Sequence, residues 1–366
     1  MATVRARGED IRRYILEKVA EHPADIAKVA AEHFCISRQA VAEHLRKLVL
    51  EGSLSAKGNT RNRQYKLVPL FRWSKTYLRD VPLEEFDVWQ SDIRAILDQL
   101  PENVLNIWHY GFTEMFNNAI DHSGGGYIMV SIHKTATTTE MLIMDDGVGI
   151  FEKIQSALRL QDPRHAVLEL AKGKLTTDPA RHAGEGIFIT SRMMDSFDVM
   201  SEGVFFTHTF GDPEDWILER ERRSFGTGTS VWMRLYNHTL RTTKGIIGQY
   251  VSEDQLGFTK TVVPVKLARY GNDQLLSRSQ AKRVLARVEL FQKVIFDFNG
   301  VESIGPAFAD EIFRVFANEH RDITLVPINQ TDDVRAMVDR ARRASSVPIN
   351  LAATTEAEAE AHQEKE

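Results

Sequence analysis

The stretch Thr113-Glu-Met-Phe-Asn-Asn-Ala-Ile-Asp-His122 sets three polar side chains at a spacing that invites chemistry. At ~100° per residue, a helix brings Glu114, Asn118 and Asp121 into one narrow stripe. Trp108, Phe112, Met115, Phe116, Ala119 and Ile120 supply the core-facing surface. Two readings fit the stripe: the solvated face of an ordinary amphipathic helix, or the wall of a site. The rest of the chain has to decide between them.

Three glycine motifs follow. The apolar run Met141-Leu-Ile-Met ends in Asp145-Asp-Gly-Val-Gly149, which predicts a buried strand and then a turn. Gly147 and Gly149 would let backbone come close to a ligand there. A carboxylate at such a strand end can accept a hydrogen bond from an exocyclic amine. Next, Arg181-His-Ala-Gly-Glu-Gly-Ile-Phe-Ile-Thr190 places Gly184 and Gly186 at the start of a helix-like stretch, where backbone N–H groups suit phosphate. Last, Phe225-Gly-Thr-Gly-Thr-Ser-Val-Trp-Met-Arg-Leu235 leads Gly228 and Thr229 into an alternating strand.

A single G-x-G is a weak signal. The order is the strong one: E-x-x-x-N-A on a helix, D-x-G-x-G after a strand, G-x-G before a helix, G-T before a strand. Residues 85–236 thereby resemble the ATP-binding domain shared by gyrase, Hsp90, histidine kinases and MutL, the GHKL superfamily with its Bergerat fold. The resemblance makes ATP and Mg²⁺ the expected cofactors and implies roles. Asn118 matches the asparagine that coordinates Mg²⁺. Glu114 matches the residue that activates the attacking water in hydrolysing members. Asp145 would bind the adenine amino group, with Thr229 helping through a shared water. Asp121, Gly147, Gly149, Gly184, Gly186 and Gly228 would complete the nucleotide site, under a lid spanning residues 152–183 whose Lys172 and Lys174 could reach phosphates. The pattern Glu114-x-x-x-Asn118-Ala119-x-x-His122 resembles the bacterial anti-sigma serine kinases more than the sensor histidine kinases, and there the glutamate is the candidate base for a substrate hydroxyl. His122 is expected to cap the helix end.

The elements flanking this region read differently. Three helical patterns, over residues 10–20, 24–34 and 38–50, precede a hairpin pattern over 53–68 centred on Gly58-Asn59, with Ser37 as N-cap of the third helix. This resembles a winged helix-turn-helix. The resemblance implies contact with double-stranded DNA through Arg38, Gln39, His44 and Arg46 on the third helix and Lys57, Arg61 and Arg63 on the wing. Charge agrees: residues 1–79 carry 16 Lys and Arg against 8 Asp and Glu, the remainder 30 against 43, for a net −5.

After an expected linker over 237–248, strand and helix alternate to about residue 341, which argues a small α/β domain. Phe296-Asp-Phe-Asn-Gly-Val-Glu-Ser-Ile-Gly-Pro306 resembles the STAS fold of anti-sigma factor antagonists. Where that family carries its phosphorylated serine this chain has Gly305, Pro306 and Ala307, with Ser303 two or three positions early, so docking of a regulatory protein is the expected role. The tail, 351–366, is acidic and of low complexity.

The sequence thus predicts a multidomain α+β protein: a winged helix-turn-helix over 1–78, a Bergerat-type α/β sandwich over 79–240, a STAS-like α/β domain over 245–350 and a disordered tail. No apolar run approaches the ~18 residues of a membrane span, and Cys35 stands alone, which excludes disulfides within the chain and multi-cysteine zinc sites. A cytoplasmic protein, by default a homodimer, is expected. The function expected first is an ATP-binding, ATP-hydrolysing regulator coupling nucleotide state to DNA binding. The alternatives are an anti-sigma-type serine/threonine kinase and an ATP-driven dimeric DNA clamp, in which Lys244 or Lys260 would have to sense phosphate.

Overall fold

The computed structural model describes residues 2–59, 62–160, 162–175, 184–211, 216–219, 227–251, 258–269 and 274–345. The expectations for Arg61, for 176–183 of the lid, for Phe225 and Gly226 and for the acidic tail lie outside them. Among the described residues no helix is long and apolar enough to cross a membrane. The chain divides into two compact units, one of residues 1–76, 129–142 and 234–239, the other of 77–128, 143–233 and 240–366.

The chain opens with α1 (Ala2–Lys18), α2 (Ile26–Phe34) and α3 (Arg38–Leu50), then β1 (Leu54–Lys57) and β2 (Gln64–Leu67). Helix α1 begins eight residues before the point at which apolar periodicity starts, because its first turns are polar and hold no breaker stronger than Gly8. Ile11 and Ile15 of α1, with Val19 just past its end, close a core with Ile26, Ala30, Val41, Leu45, Leu48 and Leu54. The Ser37 hydroxyl accepts from the Ala40 amide and caps α3. Strands β1 and β2 pair antiparallel, Leu54 opposite Leu67 and Lys57 opposite Gln64.

Beyond β3 (Phe71–Leu78), α4 (Glu85–Val88) and α5 (Arg94–Leu97) flank a π-helical turn and lead into α6 (Glu102–His122). Then come β4 (Tyr127–Lys134), β5 (Thr138–Asp145), α7 (Ile150–Leu158), α8 (Pro163–Lys172), α9 (Gly186–Met193), β6 (Ser196–Ser201), β7 (Val204–Thr209), β8 (Trp216–Glu219) and β9 (Thr229–Tyr236). The sheet runs in the order β3-β4-β5-β9-β6-β7-β8. Asp162 caps α8 through the Arg164 amide, with Pro163 at the first helical position.

The expected linker contains a helix, α10 (Thr243–Gly248), capped by the Thr242 hydroxyl. After it come β10 (Lys260–Pro264), α11 (Arg278–Leu285), β11 (Lys293–Asp297), α12 (Pro306–Asp310), a π-helical turn, α13 (Ala317–Glu319), β12 (Thr324–Ile328) and α14 (Asp332–Arg343). Strand β11 lies between β10 and β12, parallel to both, and its Val294, Ile295 and Phe296 are all buried, as suits a parallel strand covered on two faces.

The site's long helix is anchored at its end. The Arg79 guanidinium donates to the carbonyls of Ile120 (2.6 Å) and Gly125 (3.0 Å) and to the Ser123 hydroxyl (3.3 Å), neutralising carbonyls that have no helical partner. Arg79→Met is expected to lower stability by about 1.5–3 kcal/mol, the range for a hydrogen bond to a charged group, read as an earlier urea transition in tryptophan fluorescence.

Candidate functional site

Helix α6 buries Val104, Ile107, Trp108, Phe112, Met115, Phe116 and Ala119. The opposite stripe, Tyr110, Glu114, Asn118 and His122, faces a cavity of about 370 Å³. Successive members are four residues apart, so each turns ~40° from the last and the row winds along the cavity. Asp121 falls outside this row: it is exposed and does not line the cavity. The expectation that it joins the site is corrected by the position of the cavity, since in helical projection Asp121 lies only ~20° from Glu114.

Across the cavity stand Asp145, Gly149, Thr229 and the α9 entry from Gly184 to Phe188. Met115, Ile143, Ile154, Leu170, Leu175 and Val231 give apolar walls, so the site is mostly apolar with a few convergent polar groups, as small-molecule sites are.

Asp145, at the end of β5, is 7 % exposed. Its Oδ1 accepts from the amides of Gly147 (2.9 Å) and Thr229 (3.3 Å). Burial pushes its carboxyl above the usual range, while those two amides pull it back down. The neighbouring Asp146 does a different job: its Oδ1 accepts from the amides of Gly126 (2.8 Å) and Tyr127 (3.0 Å), fixing the turn that leaves α6. The Thr229 hydroxyl accepts from the Ile150 amide at 3.0 Å and ties β9 to the start of α7.

Two glycines are required by close approach. A Cβ on Gly186 would lie 1.8 Å from Glu114 Oε2, so a side chain there would push that carboxylate aside from the first turn of α9. A Cβ on Gly228, where φ is +109°, would lie 2.0 Å from the Asp145 carbonyl oxygen. Gly147 and Gly228 do not line the cavity; they shape the turns around Asp145, whereas Gly149, Gly184 and Gly186 line it directly.

Tyr110, Glu185 and Lys153 are polar lining residues that escaped sequence reasoning. Tyr110 lies one turn before Glu114; burial pushes its hydroxyl up, and the Glu114 and Glu185 carboxylates push it further, so it stays protonated. Glu185 lines the α9 entry. Lys153 donates to the His122 carbonyl at 2.7 Å and brings a cation to the cavity rim. Helical spacing from Glu114 would have found Tyr110, but nothing local marks the other two.

Lys172 and Lys174 do not line the cavity, nor do Lys244 and Lys260. Lys172 is 1 % exposed and held elsewhere, by Glu169 at 2.7 Å, which corrects the expectation that it reaches phosphate. On the N-terminal helices and hairpin, Arg38, Gln39, Arg46, Lys57 and Arg63 are exposed. His44 is not placed as expected: it is half-buried, its Nδ1 is enclosed, and it packs towards Gly8 and Arg12 of α1. Burial, aided by the Arg12 charge, pushes its imidazole below the usual range.

Among the described residues no group of three or more His, Cys, Asp and Glu is placed to hold a metal ion. Glu114 and Asn118 are lining residues of α6 that present side-chain oxygens, the hard donors Mg²⁺ takes.

No curated protein matches the chain. Residues 280–335 match the family described as a STAS-like domain of unknown function. Residues 83–205, which hold the α6 row and the Asp145 turn, match the histidine kinase-like ATPase domain family. The chain therefore carries a histidine kinase-like ATPase domain, which supports nucleotide binding at this cavity, and a C-terminal STAS-like domain.

Proposed function

We propose that the protein is an ATP-binding, ATP-hydrolysing regulator whose N-terminal helices and hairpin form a winged helix-turn-helix that binds double-stranded DNA, with nucleotide state setting DNA affinity. The observation that carries the nucleotide half is the convergence of Glu114 and Asn118 on the cavity that also takes Asp145 and Thr229. In this reading Asp145 accepts from the adenine amine, Asn118 offers its oxygen to Mg²⁺, and Glu114 orients the attacking water. Bound Mg²⁺ supplies charge neutralisation at the phosphates. The DNA half rests on the exposed cations of α3 and β1 and on the basic excess of residues 1–79.

Glu114→Gln is expected to bind Mg·ATP with near wild-type affinity and to lose turnover by about 10²-fold or more. Asn118→Ala is expected to lose the Mg-dependent part of binding. Calorimetry and a phosphate-release assay, with and without DNA, check both. Binding without turnover under any condition would favour phosphotransfer to a separate protein hydroxyl instead, and no binding at all would end the nucleotide reading.

Because burial raises the Asp145 carboxyl, protonation removes its acceptor at a higher pH than for an ordinary aspartate, near 3.9. Adenine-nucleotide affinity should therefore weaken as pH falls through that raised value and recover above it. Asp145→Asn should bind more weakly and lose this dependence, as a pH series of titrations would show.

For DNA, Arg46→Ala and Lys57→Ala should weaken binding to all sequences and each lower the slope of log affinity against log salt by about 1. His44→Ala should leave that slope unchanged. Fluorescence anisotropy across a salt series reads all three.

A further inference from the structure

The cavity's α8 wall is held from outside the ATPase domain. Lys172, the last residue of α8, has a side chain with no exposure, among the largest fully buried in the protein. Its ammonium donates to Glu169 Oε1 (2.7 Å) and to two carbonyls at the end of α11, those of Arg283 (3.0 Å) and Ala286 (2.7 Å). Arg287 completes the cluster: it donates to Glu169 Oε2 at 3.1 Å and to the carbonyl of Lys174. Arg287 adopts φ +64° and Lys174 φ +50°, a left-handed conformation unfavourable for residues with side chains, so backbone strain is accepted on both sides of this contact.

A second contact reaches the α9 wall independently. The Glu185 carboxylate, which lines the cavity, accepts from the Phe258 amide at 3.1 Å, and Phe188, also lining, stacks edge-on against Tyr250 at 5.0 Å. Two cavity walls thus take their outer layer from the chain beyond residue 248.

Stability alone does not account for the cluster. Burying Lys172 and part-burying Arg287 against one carboxylate carries a desolvation cost that apolar side chains of similar volume would avoid, and such replacements are often neutral or stabilising. A charged contact between two domains is instead specific in geometry and can be broken by a competing charge.

We propose that the Glu169–Lys172–Arg287 cluster is a latch by which the STAS-like domain positions the α8 wall and so sets how long the cavity retains its nucleotide. Lys172 and Arg287 are positioning residues that touch no nucleotide, and whatever binds the C-terminal domain near Arg287 would alter nucleotide release. The residence-time half rests on the nucleotide reading above; the latch itself does not.

The test uses the full chain and Arg287→Gly, which removes the guanidinium while supplying the residue that best tolerates φ +64°. Glu169→Gln is the companion variant, and Arg335→Ala on exposed α14 the control. Hydrogen exchange of α8 is measured without nucleotide, and dissociation of a fluorescent ATP analogue with Mg²⁺ by stopped flow. Both latch variants should speed α8 exchange and raise the dissociation rate by about tenfold or more, the loss of one charge-assisted hydrogen bond, while the control changes neither. Unchanged α8 exchange in Arg287→Gly would overturn the latch. Faster exchange with an unchanged dissociation rate would overturn its control of residence time. A wild type that binds no analogue would overturn the nucleotide reading and that control with it, leaving α8 exchange to decide whether the latch exists.

Discussion

The site depends on a buried carboxylate. Removing an ion of this kind from water costs several kcal/mol, and Asp145 meets that cost with two backbone amides, those of Gly147 and Thr229. Both come from turns that must close tightly around it. Gly228 lies against the Asp145 carbonyl, and Asp146 turns away to hold the chain leaving α6. The end of β5, the start of β9 and the end of α6 therefore converge on one dipeptide. A carboxylate so placed keeps an acceptor facing an apolar cavity, which a recognition site for an amine needs and a core does not.

Opposite Asp145, the polar row of α6 is placed by its own apolar face. Phe112 and Phe116 stack 5.0 Å apart, and Tyr77 and Trp89 pack edge-on or tilted against them. With that face locked, the four-residue spacing leaves Tyr110, Glu114, Asn118 and His122 no other direction than the cavity. Arg79 holds the far end. The chemistry proposed for the row is thus a consequence of helix geometry once the core is packed.

These features were legible in the sequence to the extent that they are local. Ser37 before α3, the apolar spacing of α6 and the glycines around Asp145 each announce themselves within a few residues, and the fixed order of the motifs locates the cavity. What depends on partners distant in sequence was not legible. Asp121 and Asn118 look alike in a helical projection, and only the position of the cavity separates them. Lys172 reads as a surface cation until α11, more than a hundred residues later, is folded against it. His44 reads as exposed because the turns of α1 that cover it are polar. Strand β10 has little local signal, because five residues ending in Pro264 carry too short an alternation, and it becomes a strand by in-register pairing, Lys260 with Lys293 through Pro264 with Asp297.

The distribution of buried charge distinguishes two kinds of constraint. Around Asp145, hydrogen bonds come from backbone, so the partners cannot change without refolding the turns, and the recognition end of the cavity is fixed. Around Lys172 the partners are side chains and helix-end carbonyls from separate segments of the chain, held by rotamers rather than by the closure of a turn. A cavity with one end fixed by backbone and one wall held by side chains is the arrangement on which the proposed latch depends. That division follows from where the donors sit: backbone amides at the Asp145 end, and side-chain cations around Glu169.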